Sequence, residues 1–381
     1  MKRFDWKQVI RVNIFISKVV GVWPPGDETY GCTFYTLYEL FIVLCLQTCF
    51  IFSQTVDVIS NLDNLQAVTG TIFVLLMEML APLKSFTLLT NMGMLKQLMT
   101  TVNSDLFQPR NSRQVSLVQP IMNAWKKTVG TFWFFTFGWL FFVSLDPIFD
   151  KTFREYRLPF GTWYPYSTKV SPQYELTYLH QFLAITSITL VNINMDAIIA
   201  ALNMYIGAQL DILCDDVRHL QNSADVGENL IRCVQHHREI VKFAEFTNRF
   251  YNWMIFEEFF VGGVSIGISM FQLTVVAPLS NEFYSFVSYS FAVCVQVFLY
   301  CWFGNEIEVK SNSLSYAVFE SDWTSLSPEI KKELIIFLIR VQRPVKMSAF
   351  GLFYLSLETF VKILRTAYSY FALLRQVNSP K

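Results

Sequence analysis

Charge is scarce in this chain. Only 16% of its 381 residues are Asp, Glu, Lys or Arg, where a soluble domain carries about 25%. Hydrophobic residues make up 53% and aromatics 17%, and the mean hydropathy is +0.35. A soluble domain of this size would leave much apolar surface uncovered, so the composition points to lipid as the solvent. Lys+Arg and Asp+Glu both total 30, so bulk charge supplies no attraction to nucleic acid.

Several motifs are also missing. The seven cysteines are odd in number, irregularly spaced and without a Cys-x-x-Cys pair, which excludes a disulfide framework and reads as small apolar filling. No Asn-x-Ser/Thr sequon marks an outer face. Residues 1–31 hold five basic side chains and Pro24-Pro25, without the short apolar stretch and small-residue cleavage site of a signal peptide. Enzyme chemistry finds no footing. There is no phosphate-binding Gly-x-x-x-x-Gly-Lys-Ser/Thr, no Gly-x-Ser-x-Gly and no His-Glu-x-x-His. Of the four histidines, His236 and His237 are adjacent, point to different helix faces and cannot make a His-x-x-x-His metal pair. No catalytic residue, metal site or cofactor is expected.

Long apolar runs are present instead. Seven qualify as spans of the order of twenty residues: 34–56, 67–89, 128–145, 176–205, 253–279, 283–303 and 347–374. Lys and Arg in the connections fall 21 on one side and 6 on the other. Positive charge stays on the cytoplasmic side, so this split predicts a cytoplasmic N-terminus. The expected fold is all-α: a polytopic membrane protein with seven transmembrane helices and an intracellular helical anchor domain. Its parts are a cytoplasmic N-terminal segment (1–31), helices 1–4 (32–208) with an outer 3–4 loop (146–175), and a cytoplasmic helical extension (209–252). Helices 5–6 (253–303), an anchor-helix region (304–346) and helix 7 (347–377) follow. Leu230, Val234, His237, Val241 and Ala244 recur at helical spacing. Ser327-Pro328-Glu329 reads as an N-cap, a first-turn proline and a first-turn acid, with a stripe of Ile330, Leu334, Leu338 and Val341 behind it. Spans 4, 5 and 7 are expected to continue into this packed inner domain.

Two groups of residues carry functional meaning. Ionisable residues inside a span are costly and face a bundle interior or water. Glu358 and Lys362 are i,i+4 and pair on one face of helix 7, whereas Glu78 and Lys84 are six apart and each needs a partner elsewhere. Glu39, Asp196, Glu257 and Glu258 read as span ends or interhelical bonds. Aromatic density in the outer half of the bundle suggests a greasy cavity with a few polar anchors, the requirement of a small apolar ligand. The candidates are Phe73, Met77, Trp139, Phe142, His180, Thr189, Asn192 and Tyr289. For any one of them, ordinary packing or lipid contact is the simpler role.

The C-terminal stretch, 313–377, is the most specific part. It carries Tyr316, Ser321-Asp322-Trp323, Lys331-Lys332, then Arg340-Val341-Gln342-Arg343-Pro344 and an Ala349-Phe350-Gly351 turn. Leu357-x-x-Phe360 and the run Ala367-Tyr-Ser-Tyr-Phe-Ala-Leu-Leu-Arg-Gln376 complete it. This resembles the C-terminal signature of insect odorant receptors. The related gustatory receptors end in Thr-Tyr, five residues, then Gln-Phe; here the positions are Ser369-Tyr370 and Gln376-Val377, which favours the odorant branch. The 4–5 loop lacks the length of the family's shared co-receptor, so a tuning subunit is expected.

The resemblance implies a heterotetrameric ligand-gated cation channel, formed with odorant co-receptor subunits in the lipid bilayer. It implies a small volatile odorant as ligand and monovalent and divalent cations in the pore. It implies a multi-pass protein of the plasma membrane of olfactory sensory neuron dendrites. The seventh helix would line the pore, with Leu373, Gln376 and Val377 at its gate. A gustatory-type channel is the alternative. A G-protein-coupled receptor is disfavoured by the charge split and by the absence of Asp/Glu-Arg-Tyr and Asn-Pro-x-x-Tyr, and a transporter by the absence of repeated halves.

Overall fold

The computed structural model describes residues 4–23, 34–63, 65–222 and 225–378. Pro24 and Pro25 of the N-terminal segment lie outside the described residues. The helices are α1 (Arg11–Val19), α2 (Phe34–Ser60), α3 (Leu65–Thr90), α4 (Met92–Val102), α5 (Ser112–Phe149), α6 (Gln173–Arg218), α7 (Val226–Val275), α8 (Asn281–Glu320), α9 (Pro328–Val341) and α10 (Leu357–Asn378). A two-residue hairpin pairs β1 (Ser348–Ala349) with β2 (Phe353–Tyr354).

Among the described residues, α2, α3, α5, α6, α7 and α8 are long and apolar enough to cross a membrane. The seventh expected span is α10, whose 22 residues include Glu358, Lys362, Arg365 and Arg375 and are less apolar than the rest. α6 sits at the centre and is buried over most of its length, with α5, α7, α8 and α3 packed round it. Its buried run from Ile193 to Leu210 is apolar on nearly every face, as a helix enclosed by others requires.

The apolar runs mark where helices cross but not how far they extend. α6, α7 and α8 continue well past the apolar stretches, to 46, 50 and 40 residues. Spans 4 and 5 thus run on past their apolar stretches, and span 6 does so where span 7 was expected to. Residues 304–320 contain no proline and keep the helix going, whereas Pro344 removes a backbone donor and stops the chain after α9. Residues 347–354, expected as the start of the last span, instead form the hairpin. Phe350 and Gly351 turn it at positive φ, +52° and +69°.

Caps follow the sequence. Ser327 Oγ accepts from the Ile330 amide at the start of α9. Asp225 accepts from the Glu228 amide at 3.0 Å and starts α7. Asp225→Ala should cost about 1 kcal/mol, read as a lowered thermal midpoint with the fold retained. An unchanged midpoint would mean that the cap contributes nothing.

Candidate functional site

A small cavity of about 60 Å³ lies between α3, α5, α6 and α8. Each helix contributes residues spaced three, four or seven apart, which is how one face of a helix repeats. α3 gives Val74, Met77 and Glu78, and α5 gives Phe132, Thr136 and Trp139. α6 gives Ile185, Ile188, Thr189, Asn192 and Ile193, and α8 gives Tyr289, Ala292, Val293 and Gln296. Tyr289 braces one end. Its hydroxyl donates to the Phe73 carbonyl at 2.8 Å, and its ring meets Phe73 edge-on at 4.7 Å and Trp139 at 5.7 Å.

A wider cleft of about 680 Å³ opens beyond it and shares Val74 and Trp139 with the small cavity. The cleft lies under the 3–4 connection, which folds back on the bundle. Gln181 on α6 holds this loop through the Phe160 amide at 3.2 Å and Thr162 Oγ1 at 2.7 Å. The Trp163 amide donates to the Ser53 carbonyl at 3.0 Å, and Phe160 packs on Phe50. Gly161 approaches Asp57 so closely that a Cβ there would lie 2.8 Å from Oδ2. Arg157 joins the loop to α8 through Glu282 at 2.9 Å, with Asp146 at 3.6 Å. Burial pushes the Tyr164 phenol of this loop above its ordinary value, and its hydroxyl lies 3.4 Å from His180 Nδ1.

A charge network lies next to the cavity. Lys84 on α3 meets Asp196 on α6 at 2.7 Å and Glu258 on α7 at 2.6 Å, and all three side chains are almost wholly buried. Gln296, a cavity residue, donates to Asp196 Oδ2 at 2.5 Å, and Tyr300 donates to Oδ1. The partners that the sequence left open for Lys84 are therefore interhelical and far away in the chain. The i,i+4 rule sees only one helix at a time and could not reveal them. Glu78 is likewise buried, with Gln54 Nε2 at 3.4 Å from Oε1.

α10 lies against α7 and α8. A Cβ at Gly267 would stand 2.7 Å from the Ala367 carbonyl, so the two helices touch through backbone. The hairpin before α10 is held by side chains that satisfy its amides. Asn248 and Asn252 of α7 accept from Ser348 and Phe350, and Ser311 of α8 accepts from Val345. The other face of α10 has no cover from the described residues. Leu373 and Val377 are 59% and 66% exposed, Gln376 is exposed beside them, and Glu358 pairs with Lys362 at 2.6 Å on the same open side.

Of the eight cavity candidates, Met77, Trp139, Thr189, Asn192 and Tyr289 stand round the small cavity, and Phe73 lines the cleft against Tyr289. His180 sits elsewhere, bonded to the Cys45 carbonyl and near Tyr164, and Phe142 stacks on Tyr284. The sequence reading did not include Glu78, Gln296, Ile185 or Ile188 in the cavity, although the first two are polar residues inside spans. His236 and His237 are both buried and point apart, toward Gln209 and Phe337.

A family model described as 7tm Odorant receptor matches residues 64–368. Odorant receptor 46a, isoform A, of Drosophila melanogaster is 22% identical over 370 residues, which cover 95% of this chain and 96% of that one. Odorant receptor Or1 of Anopheles gambiae is 22% identical over 421 residues, covering 99% of this chain and 97% of the other. The insect olfactory receptor OR5 from Machilis hrabei, solved in complex with eugenol, matches with a TM-score of 0.87 at 16% identity. The match covers 98% of this chain and all of that one, so the two share a fold.

Proposed function

This chain belongs to the insect odorant receptor family, and we propose that it is a tuning subunit of a ligand-gated, non-selective cation channel formed with the odorant co-receptor. Membership makes it a multi-pass membrane receptor of olfaction rather than an enzyme. The observation that carries the channel reading is the open face of α10. A helix that exposes Glu358, Lys362, Arg365 and Gln376 along with apolar residues is a poor lipid neighbour. It suits a surface shared with other subunits round a water-filled path. Leu373 and Val377 are i,i+4 and would form an apolar ring that closes by dewetting, with Gln376 as a neutral polar girdle for a cation.

The ligand would be a small volatile molecule in the cavity between α3, α5, α6 and α8. The Machilis receptor was solved with eugenol, a molecule of this kind. A site of about 60 Å³ is small beside ordinary ligand pockets of roughly 300–1,000 Å³. A ligand would have to part the helices, and binding that favours the parted arrangement would shift the population toward the open state. The charge split favours a cytoplasmic N-terminus, and with it the long extensions of α6, α7 and α8 on the cytoplasmic side. Ile335, Ile336 and Ile339 of α9 are exposed there and suit assembly with other subunits. The membrane would be that of olfactory sensory neuron dendrites.

Co-expression with the co-receptor and a volatile panel test this. Current evoked by at least one compound is expected, and silence across a broad panel despite surface expression would overturn the reading. In a responding pair, Trp139→Ala should raise the half-maximal concentration about tenfold or more, because it removes a large aromatic wall. Gln376→Ala should change the ratio of cation permeabilities. Conductance and selectivity equal to wild type would remove Gln376 from the pore.

A further inference from the structure

The cavity is apolar over most of its wall, yet two of its fully buried polar atoms have no partner. Glu78 is 2% exposed; its Oε1 lies 3.4 Å from Gln54 Nε2, but Oε2 is buried with no hydrogen bond. Asn192 donates through Nδ2 to the Met77 carbonyl at 3.3 Å, which orients the amide and leaves Oδ1 buried and unpaired. Both residues line the same cavity. Three polar groups nearby that can donate are engaged elsewhere. Gln296 gives its Nε2 to Asp196, Tyr289 gives its hydroxyl to Phe73, and Thr136 gives its own to Phe132. The Thr189 hydroxyl and the Trp139 indole N–H remain as donors on the wall, but the two atoms buried without a partner are both oxygens.

A buried acceptor without a partner is a standing cost in the empty site, and a ligand that supplies the missing donor relieves it. A ligand with acceptors only leaves both oxygens unpaired. We propose that this cavity selects small apolar molecules bearing a hydrogen-bond donor, an amine or a hydroxyl, and that Glu78 is the residue that reads it. An ammonium group would satisfy Glu78 Oε2 and Asn192 Oδ1 together and place its charge near the Trp139 and Tyr289 rings, which favour a cation. A hydroxyl has one proton and satisfies one of the two. Esters, ketones and ethers of the same shape satisfy neither. This rests on the cavity being the ligand site.

The test uses the full chain, assembled with the co-receptor, and a matched set: cyclohexylamine, cyclohexanol, cyclohexanone and methylcyclohexane. Binding is read by quenching of tryptophan fluorescence, since Trp139 lines the cavity, and gating by evoked current. The amine and the alcohol should bind about tenfold or more tightly than the ketone, the scale of one buried hydrogen bond. Glu78→Leu should bring the four compounds within about twofold of each other, mainly by weakening the two donors. Glu78→Gln should retain the alcohol and lose the advantage of the amine. Should Glu78→Leu fail to reach the membrane, Asn192→Val provides the second reading and should halve or more the preference for the amine. A ketone that binds wild type as tightly as the donors, or a donor preference unchanged in the variants, overturns the proposal. If none of the four binds, the cavity is not the ligand site and the proposal falls with it. Donor-selective binding without current would sustain it and overturn the channel reading instead.

Discussion

Replacing Lys84 by leucine is expected to remove most of the folded protein from the membrane. The ammonium is the shared partner of Asp196 and Glu258 on two other helices, and none of the three side chains reaches solvent. Taking it away leaves two carboxylates in a low-dielectric interior with no cation, which costs about 3–5 kcal/mol when a buried pair loses one member. That is a large share of the stability of an ordinary domain. Surface biotinylation and thermal melting of the solubilised chain would read the loss. A sharper check is the triple variant Lys84→Leu, Asp196→Asn, Glu258→Gln. It carries no buried charge at this position and should regain much of the stability, because what destabilises is the uncompensated charge rather than the missing contact. A Lys84→Leu chain that melts like wild type would show that the network contributes little.

The second large effect is expected at Gly304 in α8. A Cβ there would lie 2.2 Å from the Leu355 Cβ and 2.6 Å from its carbonyl oxygen. Both neighbours are close to backbone and neither can swing away, so Gly304→Ala must displace the segment between the hairpin and α10. A loss of about 3 kcal/mol is expected, the upper end for overpacking a tight interior. Evoked current should fall with it, because α10 would shift against α7. Gly130→Ala in α5 is the control. Apart from the adjoining backbone of its own helix, no atom lies within 4 Å of its added Cβ, and the change should be neutral or gain up to about 1 kcal/mol of helix propensity. Equal behaviour of the two variants would remove the steric argument.

Both effects concern contacts between residues distant in the chain, and that is where the sequence was least readable. The apolar runs are a local signal, so the crossing helices were visible, as was the cap at Ser327. The extension of α8 was not, because residues 304–320 are no longer apolar and their helicity comes from packing against α6. Asp211 with Lys310, and Arg218 with Glu320, join the two helices there. The cavity was partly readable for a similar reason. Trp139, Thr189, Asn192 and Tyr289 are aromatic or polar residues within spans, and helical spacing brings their faces together. His180 shares that character, but it precedes Thr189 by nine positions, and at about 100° per residue this places it half a turn away, toward α2. Residue type identified the candidates; only the rotation of each helix decided which of them meet.

α7 touches almost every part already described. Ser265 donates to the Phe73 carbonyl beside the cavity, Glu258 holds Lys84, Asn252 and Asn248 hold the hairpin, and His237 packs against α9. Its 50 residues form one uninterrupted helix about 75 Å long. Such a rod acts as a lever. A tilt of about one degree near Gly262 and Gly263 moves a point about 35 Å away by roughly 0.6 Å. Because the arms on the two sides of that fulcrum swing in opposite directions, a slight spreading at the cavity would be felt at the hairpin and α9 as motion of reversed sign. No chain of rearranged side chains is needed to carry it.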